Sequence, residues 1–116
     1  MNKRFTEGLT LLASHSLQLE LIAGGTVDHY LVPEEVIDSV ITEARRLLSL
    51  PSGLSRDQRE SVQRFARIAH HAYSVTLEHD FDSLHQLIDG EEWSLMRTAA
   101  RECLNKVIDA TEQSID

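Results

Sequence analysis

The sequence predicts an all-α fold, a small bundle of about four helices. Three observations carry that expectation. Apolar residues recur every three to four positions through most of the chain. Helix-start chemistry stands ahead of the clearest periodic runs. Gly24-Gly25, Pro33, Pro51-Ser52-Gly53, Asp80-Phe81-Asp82 and Asp89-Gly90 cut the chain into four substantial segments with short connections between them.

The first segment, Phe5 to Ala23, supports two readings. As a helix, Phe5, Leu9, Leu12, Ser16 and Leu19 share one stripe, and Gly24 supplies a left-handed C-cap. As a strand, Leu17, Leu19 and Leu21 alternate with Gln18 and Glu20, and 17–32 forms a short β-hairpin around Gly24-Gly25. Helix is preferred, because leucine is a good helix former and Leu11-Leu12-Ala13 extends the same apolar run.

The second helix is expected over 34–49. Pro33 suits a first turn, Glu34 and Glu35 complement the positive end of the helix dipole, and Arg45 and Arg46 complement the other end. Val36, Ile37, Val40, Ile41, Ala44, Leu47 and Leu48 make its apolar face. The third helix is expected over 56–78. Ser55 and Gln58 form a capping box, and Val62, Phe65, Ala69, Ala72, Tyr73 and Leu77 line the inward stripe. Leu84, Leu87 and Ile88 suggest a short helical turn. The last helix, over 91–112, takes Asp89 as N-cap and turns Trp93, Met96, Ala100, Cys103, Leu104, Val107 and Ile108 inward.

At 116 residues and 41% hydrophobic, the chain 1–116 is expected to be one domain with an ordinary core and a radius of gyration of roughly 13 Å. One cysteine, Cys103, allows no internal disulfide and suggests a reducing, cytoplasmic setting. Lys3 and Arg4 precede an apolar stretch, but Ser14, His15, Ser16, Gln18 and Glu20 interrupt it too often for a signal peptide or a membrane span. The formal net charge of −8 argues against general affinity for nucleic acid or anionic membrane.

No catalytic constellation, metal site or cofactor is expected. The six histidines lack the i, i+4 spacing of helical zinc ligands, and neighbours His70 and His71 diverge by about 100° on a helix. A site from His79, Asp82 and His85 is conceivable, but solvated polar residues at a helix end account for the spacing. Cys103 lies on an inward stripe, as inert buried thiols do.

Charge is more informative. Between Arg67 and Arg97 there is no Lys or Arg, while Glu78, Asp80, Asp82, Asp89, Glu91 and Glu92 accumulate around Phe81. That acidic turn is the expected contact site for a protein partner. The competing surface is the non-apolar side of the third helix, where Arg56, Arg59, Arg64 and Arg67, with Gln63, His70 and His71, could track phosphates. Self-association is a further expectation. Leu9, Leu12, Leu17, Leu19, Leu21 and Ile22 exceed what one helical stripe needs, so a homodimer with this segment in its interface is expected.

Over residues 62–108 the pattern Ala66-x3-His70-x2-Tyr73, Phe81-x2-Leu84, Trp93, Arg97-x3-Arg101 resembles small helical proteins of bacteriophages and prophages, of the RyR-domain-like type. The resemblance implies a phage or mobile-element origin, where small acidic proteins often bind host proteins. The expected function is therefore a non-enzymatic protein-interaction module, an inhibitor or regulator of a host protein. The alternative is a nucleic-acid-binding regulator using the Arg-rich helix 55–79.

Overall fold

The computed structural model describes residues 3–24, 32–49, 53–78 and 84–115, with side chains as far as Val107. Every regular element among them is helical. Helix α1 spans Lys3–Ala13. Helix α2 spans His15–Gln18 and continues as a π-helical turn over Leu19–Ala23. Helices α3 (Pro33–Ser49), α4 (Arg56–Glu78), α5 (Leu84–Asp89) and α6 (Glu91–Ile115) follow. The expected helices at 34–49, 56–78 and 91–112 agree with α3, α4 and α6 to within a few residues. The count is higher than expected because the first segment divides in two and the short turn at 84–89 is a helix of its own.

The hairpin reading is overturned for 17–23, which is helical; residues 26–31 lie outside the described residues. The division of the first segment has a local cause. Ser14 adopts an extended conformation (φ −109°, ψ 110°), and its hydroxyl accepts the Leu17 N–H at 3.2 Å, so a new helix starts there. The stripe then rotates. Phe5, Leu9 and Leu12 are buried, Ser16 is exposed, and Gln18 and Ile22 are the buried residues of the next piece. Gly24 is not left-handed (φ −94°). Its N–H closes the π turn on the Leu19 carbonyl at 2.7 Å, and a Cβ at Gly24 would stand 2.9 Å from that same oxygen.

The other boundaries follow from named contacts. The Val36 N–H donates to the Val32 carbonyl, starting α3 with Pro33 in its first turn. The capping box forms in both directions: Gln58 N–H to Ser55 Oγ at 3.2 Å, and Ser55 N–H to Gln58 Oε1 at 2.8 Å. Asp89 is not the N-cap of α6, because it ends α5. Gly90 takes that place, its carbonyl accepting the Ser94 N–H at 3.1 Å.

One core runs through the molecule. Phe5 meets Phe65 edge-to-face with ring centroids 6.2 Å apart, and Ile37, Val40, Ile41, Val62, Trp93 and Met96 belong to the same buried cluster. The stripe of α4 continues from Ala72 to Thr76. Leu77, expected inward, is 57% exposed, because it stands about 100° around the helix from Thr76. Thr76 is buried beside Trp93. Its hydroxyl donates to the Ala72 carbonyl at 2.7 Å and accepts the Trp93 indole N–H at 3.0 Å, leaving neither group unpaired.

Helices α4 and α6 are antiparallel neighbours: Thr76 meets Trp93 near one end, and the Gln58 amide donates to the Lys106 carbonyl near the other. The radius of gyration is 14.4 Å, and the extents of 47 × 23 × 20 Å reflect an elongated bundle. No helix among the described residues is long and apolar enough to cross a membrane.

Candidate functional site: a basic groove between α3 and α4

The four arginines expected to track phosphates do not form one uniform face. Arg59 Nη1 donates to the Leu48 carbonyl at 2.9 Å, occupying an acceptor at the C-terminal end of α3 that the helix itself leaves unsatisfied. Arg56 pairs with Glu60 at 3.4 Å on the same exposed helix surface. Arg64 and Arg67 are exposed, and neither makes an ion pair among the described residues.

Arg67 instead joins residues that the sequence kept apart. A groove of about 610 Å³ lies between α3 and α4, lined by Arg45, Leu48, Gln63, Ala66, Arg67 and His70. Leu48 and Ala66 are half-buried and supply an apolar floor; Arg45, Gln63, Arg67 and His70 are exposed. Among the described residues, no carboxylate lines it. The His70 ring lies near-parallel to that of Tyr73, with centroids 6.3 Å apart. Arg45 was read from the sequence only as a complement to the helix dipole. The α3–α4 packing adds its placement opposite Arg67, and no spacing within either helix could show it.

A second groove of about 360 Å³ lies on the other side of Arg67, between α4 and α6. Arg64, Arg67, Ile68, His71, Glu92 and Leu95 line it. Arg67 is thus the ridge between two grooves of different character.

The acidic turn is only partly described. Asp80, Phe81 and Asp82 lie outside the described residues, as does His79. Of the remainder, Asp89 meets His15 Nε2 at 2.7 Å, Glu91 and Glu92 occupy the first turn of α6, and Glu78 ends α4. The first-turn acids have a local role toward the dipole of α6. Among the described residues no group of three His, Cys, Asp or Glu side chains converges as a metal site would require.

The proposed dimer segment also divides. Leu9, Leu12 and Ile22 are buried in the chain's own core and cannot face a second copy. The cause is the rotation at Ser14, which lets one segment cover two sides of the same core. Leu17 and Leu19 are half-buried, and Leu21 is 37% exposed.

Arg97 and Arg101, conspicuous in the sequence, bond to other parts of the chain, Arg97 half-buried and Arg101 at the surface. Arg97 Nη1 donates to Gln18 Oε1 at 3.0 Å and to the Ile88 carbonyl at 2.6 Å. Gln18, fully buried, passes its amide N–H groups to the carbonyls of Leu12 at 2.9 Å and Leu11 at 3.2 Å. Burial lowers the Arg97 pKa, Asp89 opposes that, and Arg101 adds to it. Arg101 donates to the Ala13 carbonyl at 3.3 Å. Burial also pushes the Cys103 thiol up to about 11, against a hydrogen bond with Ser61, so the group is a protonated thiol at neutral pH.

Comparison with protein-family models, curated proteins and solved structures returns no match to this chain.

Proposed function

We propose that the chain is a non-enzymatic interaction module that docks an acidic segment of a protein partner in the groove between α3 and α4. One observation carries the reading: in a chain of net charge −8, Arg45, Arg67 and His70 converge on an apolar floor, and none of the described lining residues is a carboxylate. A cationic rim around apolar surface suits an amphipathic helix that alternates leucine with glutamate. The resemblance to phage and prophage proteins favours a partner in a host cell, with the module acting as an inhibitor or regulator.

A nucleic-acid ligand is less well supported. A duplex needs a long positive track, whereas two of the four arginines on α4 are engaged within the chain. The adjoining surface also carries acids: Asp57, Glu60 and Glu102 around Arg64, and Glu92 in the α4–α6 groove that Arg67 borders.

The test is a titration of isotope-labelled protein with a helical peptide bearing leucines flanked by glutamates four residues apart. A short DNA duplex at the same salt concentration provides the second arm. The expected result is peptide-induced shifts at Arg45, Gln63, Arg67 and His70, with affinity reduced about tenfold or more, ~1.4 kcal/mol, in Arg45→Glu/Arg67→Glu. Stronger binding of the duplex, with shifts along Arg56, Arg64 and Arg67, would turn the assignment to nucleic acid. No shift in the groove with either ligand would remove it as a site.

A further inference from the structure

We infer that the groove between α4 and α6 is the contact face of a symmetric homodimer, with a second copy of this chain as its occupant. This surface is separate from the proposed docking groove, although Arg67 borders both. Leu95 is 51% exposed and lies with half-buried Ile68 in the groove. Apolar side chains of that size at the centre of a polar-rimmed groove are what an interface core requires.

The charges at the rim identify the occupant. Arg64 stands in the N-terminal half of α4 and Arg67 at its midpoint, while Glu92 stands in the first turn of α6. Because the two helices are antiparallel, Arg64 and Glu92 lie at opposite ends of the groove. A two-fold axis passing obliquely across the helices, through the apolar centre, sets the arginine end of each copy against Glu92 of the other. The same operation brings the Ile68 and Leu95 surfaces together. The groove is therefore self-complementary in charge and apolar character, as a two-fold interface demands. A purely acidic partner would meet Glu92, and a purely basic one would meet Arg64 and Arg67. The dimer expected from the sequence is thereby moved from the N-terminal segment, whose Leu9, Leu12 and Ile22 are spent in the core, to the α4–α6 face.

Sedimentation equilibrium of the full chain tests this. The wild type should run at twice its 13.1 kDa mass at high micromolar concentration. Leu95→Glu should run as a monomer with an unchanged helical circular-dichroism spectrum. Arg64→Glu and Glu92→Lys should each weaken self-association about tenfold or more, while an equimolar mixture of the two should recover dimer, since each contact then pairs opposite charges again. Recovery also shows that both variants are folded. A wild type that stays monomeric would overturn the inference and leave the strip for another protein. Dimerisation unaffected by Leu95→Glu, or single charge variants that the mixture does not rescue, would place the interface elsewhere or remove this pairing.

Discussion

At the scale of single residues, the polar side chains that matter most to the fold are those that end helices from a distance. Gln18 gives both amide N–H groups to carbonyls near the C-terminal end of α1, and its oxygen accepts from one guanidinium. Arg97 links that amide to the end of α5. Replacing Arg97 with Met keeps much of the side-chain bulk but leaves Gln18 Oε1 buried without a donor. Chemical denaturation should show a loss of about 2–3 kcal/mol, the cost of a hydrogen bond to a charged group and of the acceptor left behind. In a Gln18→Leu background the further loss from Arg97→Met should shrink, because that acceptor is already gone. Equal losses in both backgrounds would mean that the two residues act independently. Thr76 follows the same logic: its hydroxyl makes a polar position compatible with the buried stripe because both the Trp93 indole and the Ala72 carbonyl are within reach.

At the scale of elements, the contact between α1 and α3 depends on a missing side chain. A Cβ built on Gly8 would stand 2.6 Å from Val40 Cγ2. Valine is β-branched and strongly restricted at χ1 within a helix, so it has little room to retreat. An isolated helix would gain about 1 kcal/mol from Gly8→Ala. In the folded protein the overlap should outweigh that gain, with a net loss of about 1–3 kcal/mol. Thermal melts of Gly8→Ala in wild-type and Val40→Ala backgrounds check this: the substitution should destabilise the first and stabilise the second. A gain in both would show that the helices separate without cost. The periodicity that made α3, α4 and α6 legible says nothing of this contact, because Gly8 carries no hydropathic signal. Similarly, the apolar run before Gly24 left helix and hairpin open with a continuous helix preferred, while the Ser14 hydroxyl competed for the backbone and divided the helix.

At the scale of the whole molecule, charge is unevenly distributed. There are 19 Asp and Glu against 11 Lys and Arg, yet cations gather beside α4. Raising NaCl from about 20 mM to about 300 mM shortens the screening length from about 20 Å to about 6 Å. The melting midpoint should rise as net repulsion is relieved, while binding of the glutamate-rich peptide to the α3–α4 groove should weaken. Melting and titration at the two salt concentrations read both effects. A midpoint that falls with salt would mean that surface attraction outweighs the net charge. A peptide affinity indifferent to salt would mean that the groove binds through Leu48 and Ala66 rather than through its arginines.

Helical character, the starts of α3 and α4, and the inward faces of α3, of α4 as far as Ala72 and of α6 as far as Val107 were determined by the sequence itself, because periodicity and capping are local properties. Ser55 and Gln58 are three residues apart and pair wherever a helix begins between them. Arg64 and Arg67 were also visible as exposed cations of α4. Tertiary structure decided which cations were already engaged. Arg59 caps α3 and Arg97 holds Gln18, so neither spacing nor residue type separates them from Arg67. It also decided that Arg45 shares a groove with His70, that Leu9, Leu12 and Ile22 belong to the chain's own core, and that Glu92 and Arg64 lie at opposite ends of one apolar strip. Each of these depends on helices distant in sequence meeting at a particular rotation about their axes. The packing of the shared core sets that rotation, and no single helix encodes it.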